Sequence, residues 1–247
     1  MLKFILMIFL VTSLFSGEIK IAVAANVSYA IKPLIKAFNQ VHPKTKVQVT
    51  LGSSGKLSAQ IQHGAPYDLF MSANMLYPQR LYHDRVARSK PQVYAQGKLA
   101  FLSVKPQDFS QGMVLLKNPK IQKIALANPK TAPYGIAAKE ALQTKGLYRF
   151  LKPKFVYGES ISQTLSFTLH AADIGLVAKS ALFSPKMTRF KQGKHWAEVD
   201  STFYKPIQQG VVLLKSDGCL TEVEAFYDFL FSKSAKEVFE KYGYTVP

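Results

Sequence analysis

Cysteine is almost absent from this chain. Its 247 residues include a single cysteine, Cys219, so no intrachain disulfide can form. The histidines are also few and scattered, with no close pair, at His42, His63, His83, His170 and His195. Because clusters of Cys and His at metal-ligand spacing are missing, we expect no metal held directly by side chains and no cofactor. The fold must then be stabilised by its apolar core.

Acidic residues are scarce as well. Asp and Glu total 15 against 32 Lys and Arg, which gives a formal net charge of +17. Such an excess attracts anionic partners by electrostatic steering. No basic run is longer than two residues, so we expect no nucleic-acid partner. Attraction of small anions, an acidic partner and a merely solvated basic surface remain alternatives.

Long apolar runs are missing except at the N-terminus, which reads MLKFILMIFLVTSLFSGEIK. Lys3, an apolar run and small residues follow each other as in a secretory signal peptide, which we place at residues 1–17. The run is too short for a transmembrane helix. We expect cleavage near Ser16 or Gly17 and a periplasmic mature protein. A buried first strand or a membrane anchor is the alternative.

Short apolar runs alternate with amphipathic helical runs in the rest of the chain. This pattern predicts an α/β fold with largely parallel, buried strands. The predicted strands are Lys20–Ala24, Lys46–Thr50, Leu69–Ser72, Leu99–Val104, Lys123–Ala127, Lys154–Val156, Ile174–Ala178 and Gly210–Leu214. The first helix is expected to begin near Ile31, because Pro33 is tolerated only in a first helical turn.

The pattern also suggests two lobes. No linker is visible, so the chain would cross between lobes on strands, within Gln96–Val104 and again within Tyr204–Leu214. Residues 18–96 and 209–247 are predicted to form lobe 1, and residues 97–208 lobe 2.

Four segments share one order of elements, in which a strand is followed by a short polar turn and a helix start. They are AVAANVS, LGSSGKL, NPKTAPYGI and GESISQT, two from each predicted lobe. Helix N-termini at the carboxyl ends of strands bind anions. The expected donors are the amide NH₂ of Asn26, the hydroxyl of Ser54, the phenol of Tyr134 and the backbone N–H of Ile161. We also expect Ser54 to cap its helix. Neutral donors alone favour a tetrahedral dianion over its protonated form. Plain helix capping is the alternative.

Other chemistry is disfavoured by what these segments lack. A nucleotide-binding P-loop would need Gly and a hydroxyl where the chain has Thr50 and Leu57. GxSxG and HExxH motifs are absent, and Asp68 and Asp173 are interpreted as turn or hinge carboxylates. We therefore expect no enzymatic activity. A secreted enzyme acting on a small anion and an adhesin using the basic surface remain alternatives.

Several longer segments resemble one family. They are AVAANVSYAIKPLIKAF, LGSSGKLSAQIQHGAPYDLFMSAN, NPKTAPYGIAAKEAL and FYDFLFSKSAKEVFEKYGY, of which GAPYDLFMSA is the most specific. They resemble the periplasmic molybdate-binding proteins of ABC transporters, and the resemblance covers Glu18 to Pro247. It implies a type II periplasmic binding fold, in which two α/β lobes close over one oxyanion. It also implies delivery of molybdate or tungstate to a membrane permease driven by a cytoplasmic ATPase. Separately, we expect a monomer.

The resemblance further implies a set of ligand-binding positions. Carried over one at a time, they fall on Ala25, Asn26, Ser54, Tyr134 and Ile161. A position that is Tyr in some members falls on Ala178, which removes a hydroxyl. We hypothesise that the phenol of Tyr134 replaces it. Since molybdate and tungstate nearly match in size and charge, the sequence does not separate them. A receptor for another oxyanion, such as sulfate, remains an alternative.

Overall fold

The computed structural model describes residues 17–216 and 220–247. The predicted signal peptide, apart from Gly17, and Cys219 lie outside these residues. Within them, no helix is long and apolar enough to cross a bilayer.

Ten strands and nine α-helices form the described part of the chain. The strands are β1 Glu18–Ala24, β2 Lys46–Gly52, β3 Leu69–Ser72, β4 Gln92–Gly97, β5 Leu99–Leu102, β6 Ile124–Ala127, β7 Phe155–Gly158, β8 Ile174–Ala178, β9 Trp196–Glu198 and β10 Ile207–Leu213. The helices are α1 Ile31–Val41, α2 Ser54–Gln62, α3 Leu76–His83, α4 Pro133–Thr144, α5 Tyr148–Leu151, α6 Ile161–His170, α7 Lys179–Leu182, α8 Leu220–Phe229 and α9 Lys233–Lys241.

The strands form two separate five-stranded sheets. The first has the order β2-β1-β3-β10-β4 and the second the order β7-β6-β8-β5-β9. In each sheet three neighbouring strands run parallel, and a strand that has crossed from the other half of the chain pairs antiparallel with them. Helices cover both sheets. The prediction of a two-lobed α/β fold is confirmed.

The chain passes between the sheets twice. It leaves the first sheet at Gly97 and enters the second at Leu99, and it returns between Glu198 and Ile207. We call the first sheet with its helices lobe 1 and the second lobe 2. The predicted lobe limits at 96/97 and 208/209 stay a prediction.

All eight predicted strands are present, with ends that shift by up to three residues. The sequence pattern missed β4 and β9, which lie at the edges of the two sheets. β4, QVYAQG, mixes polar with apolar residues, and β9, WAE, has only three residues, so the pattern of each is weak. The predicted helix start at Ile31 is confirmed. The expected cap at Ser54 is wrong by one residue, because Ser53 is the N-cap and Ser54 is the first helical residue.

Aromatic side chains fix the core of lobe 1. Phe38 on α1 packs edge-on against Phe226 and Phe229 of α8, with ring centroids 5.0 Å and 5.5 Å apart. Edge-to-face pairs of this kind add about 0.5–1.5 kcal/mol each beyond area burial. Phe239 of α9 joins the same core. These helices therefore hold β1 in place, and the end of β1 carries the first of the four polar turns.

Candidate functional site

A small cleft lies where the lobes meet, beyond the carboxyl ends of β1, β2, β3, β6 and β7. It is lined by Ala24, Ala25, Asn26, Gly52, Ser53, Ser54, Ala73, Ala132, Pro133, Tyr134 and Ile161. All five residues predicted to bind ligand are in this set. None of the residues that line the cleft carries a charge. Parallel strands bring their carboxyl ends to one edge of a sheet, which explains why four distant turns converge here.

Ala25 and Asn26 open a short 3₁₀ turn, Ala25–Val27, that follows β1 directly. The first N–H groups of such a turn have no acceptor within it. Both residues are at least 95% buried. The turn therefore offers backbone donors at the cleft.

Ser54 offers a hydroxyl. Its Oγ accepts a 2.9 Å hydrogen bond from the backbone N–H of Ala73, at the end of β3. Because the oxygen is held as an acceptor, its own hydrogen is free to donate. The N-cap residue Ser53 makes no side-chain cap bond, and its Oγ has no partner among the described residues. The start of α2 thus presents two hydroxyls and free N–H groups.

Tyr134 is the second residue of α4, after Pro133 at the first position. Proline has no N–H, so the first free backbone donor of this helix belongs to Tyr134. The phenol of Tyr134 does not reach into the cleft, although the sequence predicted it as a ligand donor. A Cβ atom at Gly97 would collide with the Tyr134 hydroxyl, so this oxygen lies against the strand that crosses between the lobes. We conclude that Tyr134 faces the cleft with its backbone N–H and that its phenol reaches the crossing strand.

The Tyr134 hydroxyl is fully buried and has no hydrogen-bond partner among the described residues. Burial raises its pKa well above the ordinary value, the nearby phenols of Tyr244, Tyr94 and Tyr204 raise it further, and the adjacent side chain of Asn26 offsets only part of this rise. Tyr134 is therefore a neutral phenol at physiological pH.

Ile161 is the first residue of α6, and the local sequence explains its role. Ser160 caps the helix by accepting from the N–H of Gln163 at 3.2 Å, and Gln163 in turn accepts from the N–H of Glu159 at 2.7 Å. This arrangement is a variant of the capping box that the sequence indicated. It leaves the N–H of Ile161 without an acceptor inside the helix.

The side chain of Asn26 differs from the prediction. Its Nδ2 donates to Gln209 Oε1 at 2.8 Å and to the Tyr244 hydroxyl at 2.9 Å. Both hydrogens of the amide NH₂ are therefore used inside the protein, and a ligand would meet the backbone N–H of Asn26. The sequence did not point to Gln209 or Tyr244, because each is buried in a strand or C-terminal segment far along the chain.

Ala178 ends β8 opposite Leu99 and packs into the core of lobe 2. It does not line the cleft. Since the Tyr134 phenol lies against Gly97, the structure does not support the hypothesis that this phenol replaces a hydroxyl missing at Ala178.

Contacts between the lobes close the cleft. The N–H of Gly55 donates to the carbonyl of Thr131 at 2.9 Å, and Lys56 pairs with Glu159 at the mouth. The hydroxyls of Ser162 and Ser180 donate to the carbonyls of Ala25 and Asn26, each at 3.0 Å. Each of these bonds joins a residue of lobe 1 to one of lobe 2, so the described conformation is closed.

The electrostatics of the cleft come from backbone dipoles. The N-termini of α2, α4 and α6 meet there, and each places about half a positive charge at its end. Lys56, near the mouth, is neutralised by Glu159. A small anion could be held by fixed, neutral donors alone.

Asp68 and Asp173, interpreted from the sequence as turn or hinge carboxylates, accept hydrogen bonds from the backbone. Asp68 accepts from the N–H of Lys20 at 2.6 Å in lobe 1. Asp173 accepts from the N–H groups of Gln122 and Lys123 at 2.8 Å in lobe 2. The two lie in different lobes and neither lines the cleft, so they do not form an acid–base pair.

Comparison with known proteins agrees with this geometry. Residues 19–245 match the family model described as bacterial extracellular solute-binding protein. The molybdate-binding protein ModA of Rhodobacter capsulatus is 36% identical over 93% of this chain and 88% of its own length. The chain belongs to the ModA family of bacterial extracellular solute-binding proteins. ModA of Azotobacter vinelandii is also 36% identical, over 93% of this chain and 90% of its own length.

A solved structure supports the ModA family fold. The periplasmic molybdate-binding protein of Azotobacter vinelandii superposes with a TM-score of 0.86 and 31% identity, covering 93% of this chain and 99% of that one. The prediction of a ModA-type, two-lobed periplasmic binding protein is therefore confirmed.

Proposed function

We propose that this protein is the substrate-binding component of a molybdate ABC transporter. It binds molybdate or tungstate as a tetrahedral dianion and delivers it to a membrane permease that a cytoplasmic ATPase drives. We further propose that it acts as a monomer in the periplasm after cleavage of its signal peptide, without a cofactor and without enzymatic activity.

One observation carries the proposal. Three α-helices and a 3₁₀ turn begin at one cleft whose lining residues are all uncharged. Such a set of N–H and O–H donors stabilises an anion that must later be released, because it forms no strong ion pair. The similarity to molybdate-binding proteins supports the choice of anion.

The donor set also supports a dianion. The backbone N–H groups of Asn26, Tyr134 and Ile161 and the hydroxyl hydrogen of Ser54 all donate. A protonated oxyanion would bring an O–H that needs an acceptor, and burying an unpaired donor costs about 1–3 kcal/mol. We therefore expect discrimination against monohydrogen phosphate. Sulfate is fully ionised but smaller, so its hydrogen bonds in a site sized for molybdate would be longer and weaker.

The test is calorimetric titration of the mature protein, from Glu18 onward, with molybdate, tungstate, sulfate and phosphate. We expect submicromolar, one-to-one binding of molybdate or tungstate and little heat with the other two. Tight binding of sulfate would make the protein a receptor for another oxyanion. No heat with any of the four would contradict the proposal.

A further inference from the structure

The turn Ala25–Val27 is held from both lobes through its carbonyl groups. From lobe 2, Ser162 Oγ donates to the carbonyl of Ala25 and Ser180 Oγ donates to the carbonyl of Asn26, both at 3.0 Å. Neither serine lines the cleft. The hydroxyls therefore hold the turn itself and do not form part of the cleft lining.

From lobe 1, Tyr244 holds Asn26 of this turn. Its hydroxyl donates to the carbonyl of Asn26 and accepts from Asn26 Nδ2, both at 2.9 Å. Tyr244 is only 4% exposed. It lies beside Thr245, which pairs with Gln96 at the end of β4. The C-terminal segment thus fixes both the main chain and the side chain of Asn26.

Gln209 sets the direction of the Asn26 amide. Its Nε2 donates to the carbonyl of Ile207 at 2.9 Å, which leaves Oε1 facing Asn26 as an acceptor. Asn26 must then present Nδ2 to Gln209 rather than Oδ1. Because Gln209 is fully buried on β10, a strand that enters lobe 1 from the crossing, the orientation of this turn is tied to the crossing region.

The hydrogen bond from Ser162 reaches the anion-binding donors through a single peptide group. The carbonyl of Ala25 and the N–H of Asn26 belong to one planar peptide and point in opposite directions. A hydrogen bond to the carbonyl polarises the peptide and strengthens its N–H as a donor. Ser162 also directly follows Ile161, whose own N–H faces the cleft. The first turn of α6 therefore supplies one donor, the N–H of Ile161, and strengthens a second, the N–H of Asn26.

We propose that Ser162, Ser180 and Tyr244 are positioning residues of the oxyanion site, which do not touch the anion themselves. Tyr244 holds the Ala25–Val27 turn within lobe 1 at all times. Ser162 and Ser180 complete its geometry only when the lobes close, so the hydrogen bonds of closure add to the affinity for the anion. This inference rests on the proposed function.

The test compares the wild type with Ser162→Ala, Ser180→Ala and Tyr244→Phe. Matched controls are Ser166→Ala, an exposed serine one turn later on α6, and Tyr242→Phe, a buried tyrosine of the same C-terminal segment. Affinity for molybdate is measured by calorimetry and the rate constants by stopped-flow. Thermal unfolding is followed without ligand.

Loss of one such bond weakens binding by about threefold to tenfold. For the two serine variants we expect faster dissociation, an unchanged association rate and an unchanged unfolding temperature without ligand. A purely structural role would instead lower that temperature. Tyr244→Phe should weaken binding and also lower the unfolding temperature, since its bonds lie within one lobe. Ser180→Thr, which keeps the hydroxyl, should recover most of the affinity.

Wild-type affinity in both serine variants would overturn the inference while leaving the proposed function intact. The inference would also be overturned if the two control variants lost as much affinity for molybdate as the serine variants do. If the wild type itself binds no molybdate or tungstate, the proposed function fails first, and the inference fails with it.

Discussion

The backbone N–H of Gly55 donates a 2.9 Å hydrogen bond to the carbonyl of Thr131, and this bond joins the two lobes beside the cleft. The approach is too close for a side chain on Gly55. A Cβ atom there would lie 2.7 Å from the Tyr77 hydroxyl, 2.8 Å from the Thr131 oxygen and 3.0 Å from the Thr131 Cα. Closure of the lobes therefore depends on glycine at this position.

We expect Gly55→Ala to bind molybdate at least tenfold more weakly, because the new methyl group keeps the lobes from closing fully. Stability without ligand should hold or rise, since alanine in a helix is favoured over glycine by about 0.5–1 kcal/mol. Calorimetric titration and thermal unfolding measure the two effects. Unchanged affinity would show that lobe closure does not need this contact.

Ser54→Ala removes the side-chain hydroxyl that we propose donates to the anion. A hydrogen bond to a charged group contributes about 1.5–3 kcal/mol, so affinity should fall by roughly tenfold to 150-fold. Ser58→Ala is the control, because Ser58 is buried one turn later on α2 and does not line the cleft. Equal losses in the two variants would count against a direct contact from Ser54.

Gly97→Ala should disturb the crossing between the lobes, because its Cβ would collide with the Tyr134 hydroxyl and approach Gln209 Nε2 to 3.1 Å. We expect lower stability and weaker molybdate binding. Adding Tyr134→Phe removes the colliding oxygen and should restore much of both. Thermal unfolding and titration of the two single variants and the double variant test this coupling. If the losses of the two single variants simply add in the double variant, the Tyr134 phenol does not lie against Gly97.

The ion pair between Lys56 and Glu159 is exposed, with 50% and 68% of the two side chains accessible. Surface pairs contribute about 0.2–1 kcal/mol and are screened by salt. In a double-mutant cycle of Lys56→Gln and Glu159→Gln, we expect a coupling of that size in molybdate binding at low ionic strength. It should vanish at about 1 M salt, where the Debye length is about 3 Å. A coupling that persists at high salt would argue against a simple exposed pair.

Tyr94 links stability to alkaline pH. Burial raises the pKa of its phenol well above the ordinary value of 10.0, and the neighbouring Tyr244 raises it further. The folded protein keeps this proton where the unfolded chain releases it. The resulting stability is complete below pH 10 and is lost as pH rises beyond it.

Between pH 9 and pH 11, Tyr94→Phe should therefore lose less stability than the wild type. Urea unfolding midpoints of both proteins, measured across this pH range, test the expectation. At neutral pH the variant should be as stable as the wild type or slightly more so, because the hydroxyl has no partner among the described residues. If the wild type and the variant lose the same stability at alkaline pH, folding does not raise the pKa of the Tyr94 phenol and the prediction is wrong.

The fold was largely readable from the chain, and particular residues show why. Runs such as LFM in β3 and IALA at β6 are continuously apolar, which indicates strands buried on both faces. The helix starts were marked by Pro133 and by the pair Ser160 and Gln163. These are local signals, set by backbone geometry over a few residues, so the sequence alone predicted the elements and the turns between them.

The chemistry of each site residue was harder to predict. The sequence placed Asn26 and Tyr134 at the cleft but assigned the wrong donor to each. The Asn26 amide is taken up by Gln209 and Tyr244, which lie 183 and 218 positions away in the chain. The Tyr134 phenol reaches Gly97 because α4 packs beside the crossing strand. No pattern within a few residues carries this information.

The sequence by itself therefore determined the α/β class, most of the elements with their order, and the four polar turns that converge on the cleft. Local propensity and periodicity suffice for these features. Only the tertiary structure decided which atoms of each turn face the cleft and which hold the lobes together. Those choices depend on hydrogen bonds between residues distant in the chain, within lobe 1 for the Asn26 amide and between the lobes for the contacts that close the cleft.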